Sequence, residues 1–307
     1  MNHLFIINPA AGKHDHTQEL TPQIRACCEA AGVSFDIQVS QGPGEVTRLV
    51  RQAGESGKPY RIYLCGGDGT LNEAVNGAVG FDNVALGIYP CGTGNDFVRN
   101  FSDSAPFRDF RAQLEATEQR LDLVLCQGKH YALNICSMGL DARIGTQVGK
   151  YKKLPLVSGM GAYILSAVVN VIRGTHSHFV LEIDGKTIDD DFTMICIANG
   201  RWYGGGFYAV PDARLDDGML DVLLIQKVSR LTVLKVVGKY KQGRYRELPK
   251  LVKHYRCPGL TIHCDGKSEI NLDGELLFGK DVTFQSAPKA LRFLCPKGLN
   301  WEPKNNA

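Results

Sequence analysis

The run Tyr63-Leu64-Cys65-Gly66-Gly67-Asp68-Gly69-Thr70, continued by Leu71-Asn72-Glu73-Ala74-Val75, decides how this chain folds. A short apolar segment, Arg61 to Cys65, ends abruptly in glycine and acidic positions. Apolar residues then recur at Leu71, Ala74, Val75, Ala78 and Val79, the period of a helix with one buried face. The pattern predicts strand, glycine loop, helix. Such a loop presents unpaired backbone N–H groups at a helix N-terminus, where the aligned peptide dipoles favour an anion. Glycines let the backbone approach a phosphate, and Thr70 adds a hydroxyl. Asp68 would repel a naked phosphate, so its presence implies a divalent cation or a proton-accepting task. The bland alternative is a tight turn that binds nothing.

Outward from this stretch, residues 1–121 alternate strand and helix. Strands are expected at Leu4–Ile7, Phe35–Val39, Ile62–Cys65 and Val84–Tyr89, and helices at Thr17–Ala31, Glu45–Ala53 and Leu71–Val79. Alternation at this spacing implies right-handed crossovers and a mostly parallel sheet covered on both faces, a three-layer α/β domain. Ligands of such sheets sit beyond the carboxyl ends of the strands. Three of those ends carry unusual loops: Asn8-Pro9-Ala10-Ala11-Gly12-Lys13, Gly66 to Thr70, and Pro90-Cys91-Gly92-Thr93-Gly94-Asn95-Asp96. One glycine loop is a weak signal. Three on one sheet edge make a nucleotide site.

From residue 122 to 295 the grammar changes to short strands with Gly and Asp turns: Leu123–Cys126, Tyr131–Cys136, Phe179–Ile183, Phe192–Ala198, Leu220–Ile225, Leu260–His263, Glu269–Leu272, Asp281–Gln285 and Ala290–Leu294. These predict an antiparallel β-sandwich domain. Leu154–Ile172 is the most apolar stretch, but Pro155, Ser158, Gly159, Gly161, Ser166 and Asn170 make it a poor membrane span. It reads as a helix packed on the β domain and lining an apolar cleft. Lys227–Arg256 carries ten basic residues against the single acid Glu247, with an amphipathic helix from Ser229. Its bland reading is a solvated face. Its sharper one is contact with an anionic bilayer, where each basic residue is worth ~1 kcal/mol. Nucleic acid is not expected, because only Tyr240, Tyr245 and Tyr255 interleave the charge.

The 307 residues, 44% hydrophobic and 22% charged with net charge +3, are an ordinary globular composition. The N-terminus lacks the pattern of a cleaved leader, and none of the ten cysteines forms a Cys-x-x-Cys pair, which reads as a cytoplasmic protein with reduced thiols. His14/His16 and His176/His178 have no cysteine or carboxylate partner at metal spacing, so a zinc site is not expected. Two acidic clusters remain, Asp212 to Asp221 and Asp273-Gly274-Glu275. Asp-Gly pairs are common hairpin turns, so each has a structural reading. Phosphoryl transfer, however, needs little beyond positioning, magnesium and a carboxylate that takes the hydroxyl proton.

Asn8-Pro9-x-x-Gly12, Gly66-Gly67-Asp68-Gly69-Thr70 and Gly92-Thr93-Gly94-Asn95-Asp96, followed by Asp217-Gly218-Met219-Leu220-Asp221 and Leu272-Asp273-Gly274-Glu275, resemble the diacylglycerol kinase catalytic-domain family over nearly the whole chain. The resemblance implies an α/β nucleotide domain related to those of NAD kinase and phosphofructokinase, a β-sandwich lipid domain, and ATP in the cleft between them. It implies that Asn8, Pro9, Gly12, Ser40, Gly66, Gly67, Asp68, Gly69, Thr70 and Thr93 line the nucleotide site. It places Asp68 near phosphates and Mg2+, and makes Asp273 and Glu275 the main candidates for the catalytic base, with Asp68 as the other. Asp217, with backbone carbonyls of Arg214 and Met219, resembles a second, structural magnesium site, and Asp141 falls where relatives read lipid. Ala11 stands where many relatives have serine, a loss of about 0.5–1.5 kcal/mol at most.

The function so implied is ATP-dependent phosphorylation of a lipid hydroxyl, in phospholipid metabolism, by a cytoplasmic protein peripheral to the inner membrane face. A soluble-metabolite kinase of NAD kinase type and a non-catalytic nucleotide or lipid sensor are the alternatives. The sequence leaves open which lipid is used, whether the chain forms a homodimer, and whether residues 296–307 return to the first domain.

Overall fold

The computed structural model describes residues 1–151 and 159–299, with the side chains of 148–151, 159–164 and 167 left undescribed. The chain divides into two compact units, Met1–Leu123 with Ala287–Ala307, and Val124–Ser286.

The first unit runs β1 (Asn2–Ile7), α1 (Thr17–Ala31), β2 (Phe35–Val39), α2 (Glu45–Glu55), β3 (Tyr60–Gly66), α3 (Asp68–Ala78) and β4 (Val84–Pro90), then the short α4 (Phe110–Leu114) and the start of β5 (Thr117–Cys126). The pairs β1–β2, β1–β3 and β3–β4 are all parallel, with Ile6 opposite Gln38 and Leu64, and Leu64 opposite Ile88. Helix α1 forms because Leu20, Ile24 and Cys28 recur every fourth residue and are buried together. It stops where Gly32 turns left-handed at φ 65° and Val33 N–H donates back to the Cys28 carbonyl. Its buried face meets Phe5, Ile7, Tyr63, Cys65 and Phe110.

The second unit continues with β6 (His130–Ala132), β7 (Ile135–Gly139), α5 (Leu140–Tyr151), α6 (Gly159–Arg173), β8 (Ser177–Ile183), β9 (Lys186–Ala198), the two-residue strands β10 (Trp202–Tyr203) and β11 (Phe207–Tyr208), β12 (Leu220–Gln226), α7 (Arg230–Lys241), β13 (Val252–Cys257), β14 (Gly259–Leu272) and β15 (Glu275–Cys295). Its pairings, β13–β12, β12–β9, β9–β7, β7–β14, β9–β8, β8–β14 and β14–β15, are all antiparallel. The continuous apolar run of β12 is explained by burial on both faces. Leu220, Val222 and Leu224 join one core cluster, while Leu223 and Ile225 join another.

Four expectations change. Asp281–Gln285 and Ala290–Leu294 are parts of one strand, β15, which runs from Glu275 to Cys295. The strand expected at Tyr131–Cys136 is two, β6 and β7, broken at Leu133-Asn134. Leu260–His263 and Glu269–Leu272 are one strand, because the Asp265-Gly266 stretch is absorbed as an irregularity in register between His263 and Ser268 rather than as a turn. The division falls at Ser286/Ala287 instead of residue 295, since the end of β15 pairs in parallel with β4 of the first unit, Phe293 opposite Leu86. Lys297 stays in that unit, its N–H donating to the Ala112 carbonyl and its Nζ lying 2.6 Å from Glu115. Of the apolar stretch Leu154–Ile172, residues 154–158 lie outside the described residues, as do residues 300–307 of the tail. Among the described residues no helix is long and apolar enough to cross a membrane.

Candidate functional site

In the first unit the carboxyl ends of β1, β3 and β4 hold their loops against one another. The strand ladders continue past their ends: Asn8 N–H donates to Cys65, Ser40 N–H to Ile7, and Cys91 N–H to Gly66. Asn8 Nδ2 donates to Thr70 Oγ1 at 2.8 Å, and Asn8 Oδ1 accepts from Ala10 N–H at 3.0 Å. Thr70 is therefore committed first to fastening the β1 loop onto α3, a job the sequence did not reveal. Ser40 and Thr70 are both buried at 4% exposure, whereas Thr93 is exposed.

The glycines have distinct reasons. A Cβ on Gly92 would stand 2.4 Å from the Gly67 Cα, and one on Gly12 would stand 2.3 Å from the Cys91 carbonyl oxygen. A Cβ on Gly66 would strike the Thr70 side chain at 2.4 Å. These glycines are needed for loop-on-loop packing. Gly69 alone in the Gly66–Thr70 loop has nothing within 4 Å of where a Cβ would lie, so the α3 N-terminus is open there. Asp68 is the first residue of α3, and its Oδ1 accepts from the Phe97 N–H at 3.1 Å. Its other oxygen has no protein partner among the described residues. A hard carboxylate oxygen beside an open helix N-terminus fits magnesium that is shared with nucleotide phosphates. Phe97, just past the third loop, was not a sequence candidate. Its contribution is a backbone N–H, which no residue type announces.

In the second unit Asp273-Gly274 is the turn of the β14–β15 hairpin, with φ of 49° and 97° and Leu272 opposite Glu275. The Asp273 carboxylate is wrapped by backbone donors. Leu133 N–H reaches Oδ2 at 2.5 Å, Asn134 N–H lies 3.1 Å from both oxygens, and Ile135 N–H reaches Oδ1 at 2.9 Å. This explains why the chain breaks between β6 and β7: the interstrand residues turn their N–H groups onto one carboxylate. Glu275 is exposed and takes no protein partner among the described residues.

Asp141 opens α5 and is joined to the same turn. Ser137 Oγ donates to its Oδ2 at 2.7 Å, Asn271 Nδ2 lies 3.5 Å from that oxygen, and Asn271 Oδ1 accepts from Gly274 N–H at 2.8 Å. Burial pushes the Asp141 carboxyl above the usual carboxylate range, against the pull of Ser137 and Asn271. Asn271 was not anticipated, although an asparagine two residues before an Asp-Gly turn is a local signal.

At the third cluster Asp217 Oδ1 accepts from Met219 N–H at 3.0 Å, and its Oδ2 is ion-paired with Arg256 on β13. Arg214 Nε lies 3.3 Å from Asp216. Magnesium demands a near-octahedral set of oxygens, and a guanidinium already holds the carboxylate oxygen it would take. The Asp217 carboxylate is thus shared between a backbone N–H and a guanidinium, and no metal role is derived for Arg214, Asp217 and Met219.

Residues 2–126 match the model of the diacylglycerol kinase catalytic domain, and residues 134–295 match that of the YegS C-terminal NAD kinase beta sandwich-like domain. "Putative lipid kinase SH2167" of Staphylococcus haemolyticus is 27% identical over 282 residues, covering 90% of this chain and 89% of the relative. "Putative lipid kinase SAR0780" of Staphylococcus aureus (strain MRSA252) is 26% identical over 287 residues, 92% of either chain. In fold, the chain is similar to a diacylglycerol kinase from Bacillus anthracis, at TM-score 0.72 and 19% identity, covering 97% of this chain and 98% of that one. It is also similar to an NAD kinase from Archaeoglobus fulgidus in complex with ATP, at TM-score 0.52 and 11% identity, over 96% of this chain and 94% of that one. With the two models matching consecutive parts of it, the chain belongs to the diacylglycerol kinase catalytic-domain family, of the type that carries a YegS-like C-terminal domain.

Proposed function

We propose that this protein is an ATP-dependent lipid kinase that moves the γ-phosphoryl group of ATP to a lipid hydroxyl. The observation that carries the reading is the interlocked edge of the first unit. Three loops are packed closely at their glycines, Gly67 on Gly92 and Gly12 on the Cys91 carbonyl, beside an open α3 N-terminus with Asp68 at its first position. In this account Gly69 and its neighbouring N–H groups take a phosphate, and Asn8 and Thr70 hold the β1 loop in place. Mg2+, when bound with the nucleotide, would neutralise phosphate charge, and Asp68 is the residue that would hold it.

The lipid hydroxyl must lose a proton as the phosphoryl group arrives. Glu275, exposed and unpartnered among the described residues, is the better acceptor, while Asp273 holds the turn that carries it. The membrane is the source of such a substrate, and α7 is built to meet one. No residue of α7 is buried, although Leu231, Leu234 and Val237 recur on one face, with Leu231 70% and Leu234 68% exposed. Arg230 donates to the carbonyls of Val171 and Ile172, so α7 starts beside the end of α6, where Val168 and Ile172 are also exposed. A 12-residue helix with leucines in water and a basic surround fits the surface of an anionic bilayer. Such contact corresponds to attachment at the cytoplasmic face of the membrane.

Labelled ATP offered with a panel of hydroxyl-bearing lipids, diacylglycerol among them, in mixed micelles tests the reading. Label is expected in the lipid phase and should fall about 100-fold or more for Glu275→Gln. No lipid label from the parent protein would refute it.

A further inference from the structure

The β1 loop is followed by a side-chain cluster that the kinase reading does not use. His16 Nδ1 lies 3.4 Å from Glu19 Oε2, and His14 Nε2 lies 4.0 Å from the same oxygen. The two imidazole rings are 4.1 Å apart, and the three groups' ligand atoms all lie within 4.8 Å of one another. In the sequence these histidines have no carboxylate at an evident metal spacing. The fold supplies it: His16 is the residue before α1, so Glu19 returns to its side one helical turn later.

The frame is fixed where it needs to be. The His16 carbonyl accepts from both Glu19 and Leu20 N–H, which locks the ring's origin against the helix. Asp15 points elsewhere, its Oδ1 accepting from Thr17 N–H at 2.8 Å. His14 and Glu19 are exposed, so their side chains are free to rotate. Tetrahedral ligands on bonds of about 2.0–2.1 Å stand about 3.3 Å apart, which requires only a small contraction of the present set.

We propose that His14, His16 and Glu19 form a binding site for a borderline divalent transition metal of the Zn2+ class. Two imidazoles and one carboxylate select such an ion over Mg2+ or Ca2+, which prefer oxygen ligands alone. Three protein ligands leave a fourth position for water or an anion oxygen. The site touches the nucleotide edge, since a Cβ on Gly12 would stand 3.4 Å from His16 Nε2 and 2.3 Å from the Cys91 carbonyl. His16 thus lies beside Gly12 of the β1 loop. His176 and His178 do not form a second such site, because Lys227 Nζ lies 2.8 Å from the Asp191 they share.

The test is a Zn2+ titration of the full-length, tag-free protein against a chromophoric chelator. One equivalent is expected to bind, weakened about tenfold or more by His14→Ala and by His16→Asn. It should be unchanged in a His176→Ala, His178→Ala double variant, and Mg2+ in excess should not displace it. Parent-like binding in His14→Ala would overturn the proposal. So would loss of binding in the His176/His178 variant alone. Should His16→Asn fail to fold, His14→Ala decides the matter, because His14 precedes the helix and is exposed. The result does not depend on whether the protein phosphorylates lipid.

Discussion

Replacing Asp273 by asparagine separates two jobs that one carboxylate could hold. In the structure both Asp273 oxygens accept backbone N–H groups from three successive residues, Leu133, Asn134 and Ile135. An amide in the same place keeps one acceptor and turns an NH2 donor toward an N–H donor. Hydrogen bonds to a charged group contribute about 1.5–3 kcal/mol each, and a stranded donor costs about 1–3 kcal/mol. The turn is partly solvated, so the loss should fall at the low end, about 2–4 kcal/mol for the set. Urea denaturation of parent and Asp273→Asn protein, followed by fluorescence of the two tryptophans, measures it directly. The expected result is a lower midpoint at unchanged slope. Glu275→Gln should leave the unfolding free energy within about 0.5 kcal/mol of the parent, as exposed substitutions do. An Asp273→Asn protein as stable as the parent, yet without activity, would refute the anchoring argument and return Asp273 to the role of base.

Gly92→Ala should destabilise by about 1–3 kcal/mol, because its Cβ meets the Gly67 backbone at 2.4 Å and that backbone must move, and calorimetry would show it. Gly69→Ala should hold or raise thermal stability, since its site is open and alanine favours a helix, yet weaken binding of an ATP analogue in a fluorescence titration. His3, buried beside Tyr63, has its pKa lowered from 6.5 to about 4 by burial and by the Arg61 charge. Below pH 6.5 the unfolded chain takes this proton first, so stability present at pH 7 should fall by about 3 kcal/mol as pH drops toward 4, and His3→Gln should flatten that slope in urea titrations. Asp141 shifts the other way. Burial raises its pKa, so stability declines as pH rises above the ordinary carboxylate value, and Asp141→Asn should be more stable than the parent at neutral pH.

The elements were legible where period and punctuation agreed. Thr17–Ala31 and Phe35–Val39 were read to the residue, because apolar spacing and Gly32 marked their limits. The three loops were legible as glycine and acidic runs at strand ends, but the reasons for individual glycines were not. Gly67 and Gly92 touch each other from the loops that follow β3 and β4, a contact that sequence spacing does not encode. The break at Leu133-Asn134 was invisible for a related reason: it exists to serve a carboxylate 139 residues away from Asn134. Arg256 facing Asp217 follows from the pairing of β12 with β13 and could not be read from either segment alone. Local chemistry showed in the chain; partners across the fold did not.

The most direct test of the central claim is one incubation of the purified protein with γ-labelled ATP and Mg2+, a panel of hydroxyl-bearing lipids in anionic vesicles, and NAD. Products would be resolved by thin-layer chromatography. The account predicts label in a lipid spot and none in an NAD-derived spot, with the lipid spot abolished by Asp68→Asn. Label in the NAD-derived spot, or none in any lipid with folded protein and bound ATP, would contradict it.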